Sequence, residues 1–320
     1  MTQATQRANL IGIFSAIGAS VFFSINDMAI KFLSGDYALH QVILIRSTIG
    51  MVILMAFIIP LEGGFQALKT RRPVIHLARG LCVVFANMTF FLGLAAMPLA
   101  EAVAIFFIAP LVITAFSVIM LGEKVGPHRW AAVGVGLIGV LVMLRPGSSA
   151  FQPAALLPLV AAVAYAMLHI LTRKIGIAEK AATMSFYIQL TFITVSAAMG
   201  LAFGNGQFAG SDDPSLDFLF RAWSMPASTD FLLFTVIGTC SALGGYLISQ
   251  AYRLAEAGLA APFEYIAMPM AIAWGVVVFG EWPDAVAWIG ISLIIIGGLY
   301  TVWRESVQHR RVTIDQPARR

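Results

Sequence analysis

Charge is what this sequence has least of: Lys, Arg, Asp and Glu make up 11% of its 320 residues, against about a quarter in an average soluble domain. So little polar surface excludes a water-soluble globular chain. Cysteine is nearly absent too. Cys82 and Cys240 both fall inside apolar runs, which excludes a disulfide framework and offers no metal-ligand spacing. Also missing are a Walker-type phosphate loop, an H-E-x-x-H pair and an intramembrane pair of aspartates, so nothing points to nucleotide hydrolysis or to a membrane-embedded enzyme. No catalytic residue, metal site or cofactor is expected. The net charge of +4 is spread over short loops rather than gathered on one face, which argues against a nucleic-acid partner.

What is abundant is apolar: 59% of the residues are hydrophobic and the mean hydropathy is +0.87. They occur as repeated runs of about 20 residues, the length that crosses a hydrocarbon layer about 30 Å thick. Delimited by Pro, Gly or charge, the runs predict ten spans at about 10–33, 41–61, 74–96, 100–121, 129–145, 155–175, 183–203, 230–252, 260–279 and 285–304. The first lacks a small-residue cleavage signal and is read as a retained span. Connections are short, with one exception: between about 204 and 229 the chain turns acidic at Asp212, Asp213 and Asp217, and a solvent-exposed connection is expected there.

Loop charge sets the orientation, because Lys and Arg stay on the cytoplasmic side. With the N-terminus inside, only Lys31, Arg145 and Arg221 of the 20 basic residues fall outside, and Arg46 lies within a span. The others, Arg79 among them, are then cytoplasmic. This predicts a multi-pass protein of the cytoplasmic (inner) membrane with both termini inside.

The halves resemble each other. A shift of 143 places Phe22 on Tyr165, Asn26 on His169, Lys31 on Lys174 and Arg46 on Gln189. A shift of 159 places Pro110 on Pro269, and one of 158 places Gly122-Glu123 on Gly280-Glu281 and Gly139 on Gly297. Each half holds five spans, an odd number, so the repeats are inverted. That architecture exposes a central site alternately to either side of the membrane. Segments 10–146 and 153–304 form the two repeats, with short tails at 1–9 and 305–320.

The stretches "RGLCVVFANMTFFLGLAAMPLAEAVAIFFIAPL", "LGEKV", "GVGLIGVLVML" and "AYRLAEAGLAAPFEYIAMPMAIAWGVVVFGEWPD" resemble the drug/metabolite transporter superfamily, in particular ten-helix carriers made of two EamA repeats. The likeness covers about residues 10–304. It implies an all-α membrane protein, ten transmembrane helices as two inverted five-helix EamA repeats, moving a small organic metabolite. "SINDMAIKFL", "RRPVIHLARG" and "VAAVAYAMLHILTRKIG" look like the bacterial S-adenosylmethionine uptake carriers. Related carriers of riboflavin, amino acids and drugs share much of the pattern and stay open as alternatives.

Ionisable residues within spans are costly and normally face a bundle interior or a water-filled cavity. An outer gating network of Asp27, Arg46 and Glu101 is expected, and an inner one of His169, Gln189 and Glu264. Each has a plainer alternative. Asp27 can pair statically with Lys31 at i, i+4, Arg46 can snorkel to the interface, and Glu101 can favour a helix N-terminus. His169 can be a satisfied polar residue, or, beside a carboxylate, can couple transport to protons. The expected substrate cavity holds Phe22, Asn87, Phe106, Tyr165, Tyr246, Gln250, Glu264, Tyr265 and Trp274, with aromatic faces suited to a flat heterocycle or a cation. Glu123 and Glu281 read as structural. Gly134, Gly136, Gly139, Gly290, Gly297 and Gly298 read as a homodimer or inter-repeat contact. The expected partners are therefore a small-molecule substrate, the lipid bilayer, coupling protons and a second copy of the chain.

Overall fold

The computed structural model describes residues 3–122, 126–146, 152–175, 178–255 and 263–314. Glu123, expected to be structural, lies outside the described residues. Among these every regular element is helical. Seven stretches are long and apolar enough to cross a membrane: Leu10–Leu33, Leu39–Leu61, Pro73–Ala96, Leu99–Met120, Pro153–Ile175, Ala181–Phe203 and Ser228–Leu254. Gly134–Leu144, Ala267–Phe279 and Ala285–Gly297 are shorter apolar helices where the fifth, ninth and tenth spans are expected. The protein is an all-α, multi-pass membrane protein.

The main helices are α1 (Gln3–Leu33), α2 (Leu39–Ile53, prolonged through a π turn at Leu54–Ile58), α3 (Pro73–Ala96), α4 (Leu99–Phe106), α5 (Ala109–Leu121) and α6 (Pro127–Leu144). The second half contributes α7 (Leu156–Ile175), α8 (Ala181–Phe203), α9 (Pro214–Phe220), α10 (Phe231–Leu254), α11 (Ala267–Phe279) and α12 (Ala285–Ile314). Pro73 and Pro127 open α3 and α6 at positions whose N–H has no helical acceptor anyway. Gly122 and Gly280 end α5 and α11 at φ +69° and +67°, a left-handed conformation that suits glycine. These two helices are 13 residues each and 158 positions apart, the offset found in the sequence.

The packing repeats as well. Helix α1 packs on α10 as α7 packs on α3, α2 on α10 as α8 on α3, and α11 on α1 as α5 on α7. The pairs α2–α8 and α6–α12 map onto themselves when the halves are exchanged. This is the pattern of a pseudo-twofold axis running between the halves.

The fourth span is interrupted at Phe107–Ile108, just before Pro110, whose missing N–H removes a helical hydrogen bond. The ninth is interrupted at Tyr265–Ile266, the positions matching by the same offset. Phe107 and Tyr265 stack with ring centroids 5.0 Å apart, and the Tyr265 hydroxyl donates to the Phe107 carbonyl at 3.4 Å. Both breaks therefore meet at the centre of the bundle.

Two expectations are corrected and a third gains detail. Lys31 and Asp27 do not pair: Lys31 Nζ bonds Glu281 Oε1 at 2.6 Å and the Met97 carbonyl at 2.8 Å, because a carboxylate and a free carbonyl lie within its reach at the end of α1. Arg79 is not in a cytoplasmic loop but inside α3 at 1% exposure, with Nε donating to Thr172 Oγ1 at 2.9 Å. The acidic connection is exposed at Asp212 and Asp213, yet it is not a free loop. It forms α9, capped by the Asp213 carboxylate, and buries Phe218. From there Arg221 donates to the Ser34 carbonyl at 2.8 Å and Gln41 brackets Ser224, so the connection docks on the ends of α1 and α2.

Of the small residues, Gly139 and Gly290 face each other within the chain. A Cβ on Gly139 would lie 2.9 Å from the Gly290 carbonyl oxygen and 3.0 Å from Leu293 Cβ. Gly139→Leu should force α6 and α12 apart and cost about 1–3 kcal/mol as an overpacked contact. A drop of several degrees in the melting midpoint in detergent checks this, and an unchanged midpoint refutes it. Asp284 caps α12 through the Ala287 N–H at 2.7 Å and pairs with Arg145 at 2.5 Å. The Arg145 guanidinium holds that carboxyl below the usual carboxylate range.

Candidate functional site

A cavity of about 140 Å³ opens where the broken spans meet, lined from α1, α2, α3, α4, α7, α8, α10 and α11. Six phenylalanines stand in its wall, Phe23, Phe90, Phe91, Phe106, Phe107 and Phe192, among aliphatic and polar residues. Phe106 bridges Phe90 and Tyr165 at centroid distances of 5.0 and 5.1 Å. Into this apolar shell project Asp27, Arg46 and Glu264, with the amides Asn26, Asn87 and Gln189 and the hydroxyls of Ser20, Ser185 and Ser241.

Each charged group has a distinct setting. Arg46, on α2, is 2% exposed and lies over the rings of Phe192 and Phe91 at 4.9 and 5.6 Å. Its Nη2 donates to Asn87 Oδ1 at 3.3 Å, while its Nε has no hydrogen-bond partner among the described residues. Asp27 accepts from Asn26 Nδ2 at 3.2 Å. Glu264 precedes the break in the ninth span and accepts from two phenols, Tyr252 and, at 3.2 Å, Tyr165. The His169 ring sits between those phenols, with centroids 4.3 Å from Tyr165 and 4.0 Å from Tyr252. Both His169 nitrogens lack hydrogen-bond partners among the described residues.

Of the residues expected in the substrate cavity, Asn87, Phe106, Tyr165 and Glu264 line it. The other five stand outside its lining. Phe22 packs beside Gly244, the Tyr246 hydroxyl donates to Glu62 Oε1 at 2.8 Å, and Gln250 accepts from Arg253 at 3.0 Å. Tyr265 belongs to the stacked break, and Trp274 Nε1 donates to Ser24 Oγ at 3.1 Å.

The expected gating networks are arranged differently. Asp27 and Arg46 share the cavity with Gln189 and Glu264, so the two sets are not separated into an outer and an inner layer. Arg46 and Gln189 are repeat mates on helices α2 and α8, which pack on each other, and this packing brings both mates to the same cavity. Glu101 stands apart, in the electrostatic neighbourhood of Lys31, Arg145, Glu281 and Asp284. His169 lies behind the cavity wall. Sequence reasoning missed Ser20, Phe23, Ser185 and Ser241, whose types are too common in apolar helices to stand out. It also missed the buried placement of Arg79, although Arg79, Val83, Ala86 and Phe90 follow one helical face that leads to the cavity.

A polar, charged cavity at the meeting point of two like-packed halves of a membrane-crossing bundle defines a membrane carrier. Residues 10–145 match the EamA-like transporter family, and with the relatives below this supports a small-metabolite transporter. The chain is 28% identical to the S-adenosylmethionine uptake transporter of Rickettsia prowazekii, covering 92% of this chain and 94% of the relative. It is 25% identical to a riboflavin transporter of Rhizobium johnstonii, over 94% of each. To the pseudopaline exporter of Pseudomonas aeruginosa the identity is 24%, over 89% and 93%. A solved crystal structure, 22% identical over 96% of this chain and 99% of the other, superposes with a TM-score of 0.66 and shares the fold.

Proposed function

We propose that the protein takes up S-adenosylmethionine, or a similar cationic nucleoside-like metabolite, across the cytoplasmic membrane by alternating access. The observation that carries this reading is the combination in one cavity of aromatic walls with an excess of acidic over basic groups. Phe90, Phe91, Phe106 and Phe107 offer faces for a flat heterocycle, and Glu264 offers a negative charge for a sulfonium or ammonium. No covalent step is involved: binding and a change of exposure suffice. Loop charge supports an orientation with both termini inside. The names of the relatives agree with such a substrate but include riboflavin transporters. A neutral flavin needs the aromatics, Asn87 and Gln189, and leaves the charged groups without a role.

The test is uptake of radiolabelled S-adenosylmethionine into proteoliposomes of the purified protein, with unlabelled riboflavin and amino acids as competitors and an imposed pH gradient in parallel. Saturable uptake not competed by riboflavin is expected. Vesicles that exclude S-adenosylmethionine yet accumulate labelled riboflavin would refute the reading.

A further inference from the structure

Asp27 and Arg46 carry opposite charge and line one cavity, yet among the described residues they form no ion pair with each other or with anything else. A buried charge without a counter-charge is costly, and proteins normally pair it. Here Arg46 has a single amide contact, through Nη2, and its Nε is unsatisfied at 2% exposure. Asp27 has only Asn26. The protein holds an acid and a base in one apolar pocket, within electrostatic reach of each other but out of ion-pair contact, so neither has a counter-charge against it. A ligand bearing both signs on neighbouring atoms completes both at once.

We propose that Asp27 and Arg46 form a receptor for a zwitterionic α-amino acid head, Arg46 taking the carboxylate and Asp27 the ammonium. This deepens the uptake reading above and rests on it for the rest of the ligand. Asn87 fixes the guanidinium from one side and Phe91 and Phe192 hold its plane, leaving the Nε edge for a carboxylate oxygen. Asn26 orients the Asp27 carboxylate. With the head placed there, the aromatic wall of Phe90, Phe106 and Phe107 is left for a ring system. Glu264 remains as one excess negative charge, and it matches a ligand that carries one fixed cation besides its zwitterionic head. A carrier so built selects against molecules that share the ring but lack the head.

The experiment is competition against labelled S-adenosylmethionine, in binding to the purified protein and in proteoliposome uptake, by two analogues. Decarboxylated S-adenosylmethionine lacks only the carboxylate and isolates its contribution, whereas 5′-methylthioadenosine lacks the whole head and, as a neutral thioether, the sulfonium charge as well. Each is expected to compete at least about tenfold more weakly than S-adenosylmethionine, because a site with buried polar groups rejects a ligand that leaves them unpaired. In Arg46→Gln the preference for the carboxylate-bearing ligand should vanish. Equal competition by 5′-methylthioadenosine in the wild type, or a tenfold carboxylate preference surviving in Arg46→Gln, would overturn the proposal. If Arg46→Gln does not fold, the wild-type analogue series decides alone. If S-adenosylmethionine does not bind at all, the uptake reading fails separately, and the head site is judged by melting shifts with methionine and with 3-methylthiopropylamine. A shift with methionine alone supports the site. Equal shifts, or none with methionine, reject it.

Discussion

Glu264→Gln is expected to reduce transport by about tenfold or more without unfolding the protein. The carboxylate is held by the Tyr165 and Tyr252 hydroxyls, and the amide that replaces it keeps the size and one acceptor oxygen. What is lost is the charge. Hydrogen bonds to a charged group contribute about 1.5–3 kcal/mol against about 1 for neutral ones, and a tenfold change corresponds to about 1.4 kcal/mol. Tyr165→Phe and Tyr252→Phe, which remove one donor each and leave the charge, should cost less than Glu264→Gln. Initial rates and half-saturation concentrations of the three variants, measured in proteoliposomes beside their melting midpoints, check this order. Wild-type transport by a folded Glu264→Gln protein would show that the cavity acid takes no part in the cycle.

The position of Glu264 also shows how far the sequence carries. Span positions follow from the length of apolar runs, and seven of them recur as helices long enough to cross a membrane; the offsets between the halves have a parallel in the repeated helix packing. The breaks were signalled by Pro110 and Pro269. Glu264 stands out because an acid in an apolar helix needs a reason. Its counterpart at the first break is Phe106, so the repeat is symmetric in backbone and asymmetric in charge. No periodicity reveals what Lys31 bonds, since its partner Glu281 is 250 positions away. A local i, i+4 rule offered Asp27 instead and was wrong. That members of both expected networks line one cavity was hidden for a related reason: matching residues on the sequence cannot tell whether mates lie far apart or side by side. Docking of the acidic connection was hidden because it depends on single contacts by Arg221 and Gln41 rather than on a pattern.

Reversing the charge of Lys31 or of Glu281 alone should lower transport by about tenfold, and reversing both should restore a large part of it. Lys31 Nζ bonds both carboxylate oxygens of Glu281 at 2.6 and 2.9 Å, and Glu281 Oε2 also accepts the Leu99 N–H at 3.0 Å. One ion pair thus ties the end of α1, the start of α4 and the turn after α11 at one end of the bundle, and these are the elements whose separation would open the cavity on that side. The pair is half-shielded, with side-chain exposures of 10% and 28%, so it is stronger than a surface pair and less costly to open than a fully buried one. A purely structural pair would lower the melting midpoint in the single reversals and leave the transport of the surviving protein unchanged. A gate shifts the rate more than the midpoint. In the sequence the repeat offsets match Lys31 with Lys174 and Glu281 with Glu123, and alternating access requires the two faces to open in turn. Reversals at Lys174 and Glu123 should therefore slow transport too, with rescue only within each pair. Rescue of Glu281→Lys by Lys174→Glu, across the pairs, would sink the idea of two separate locks.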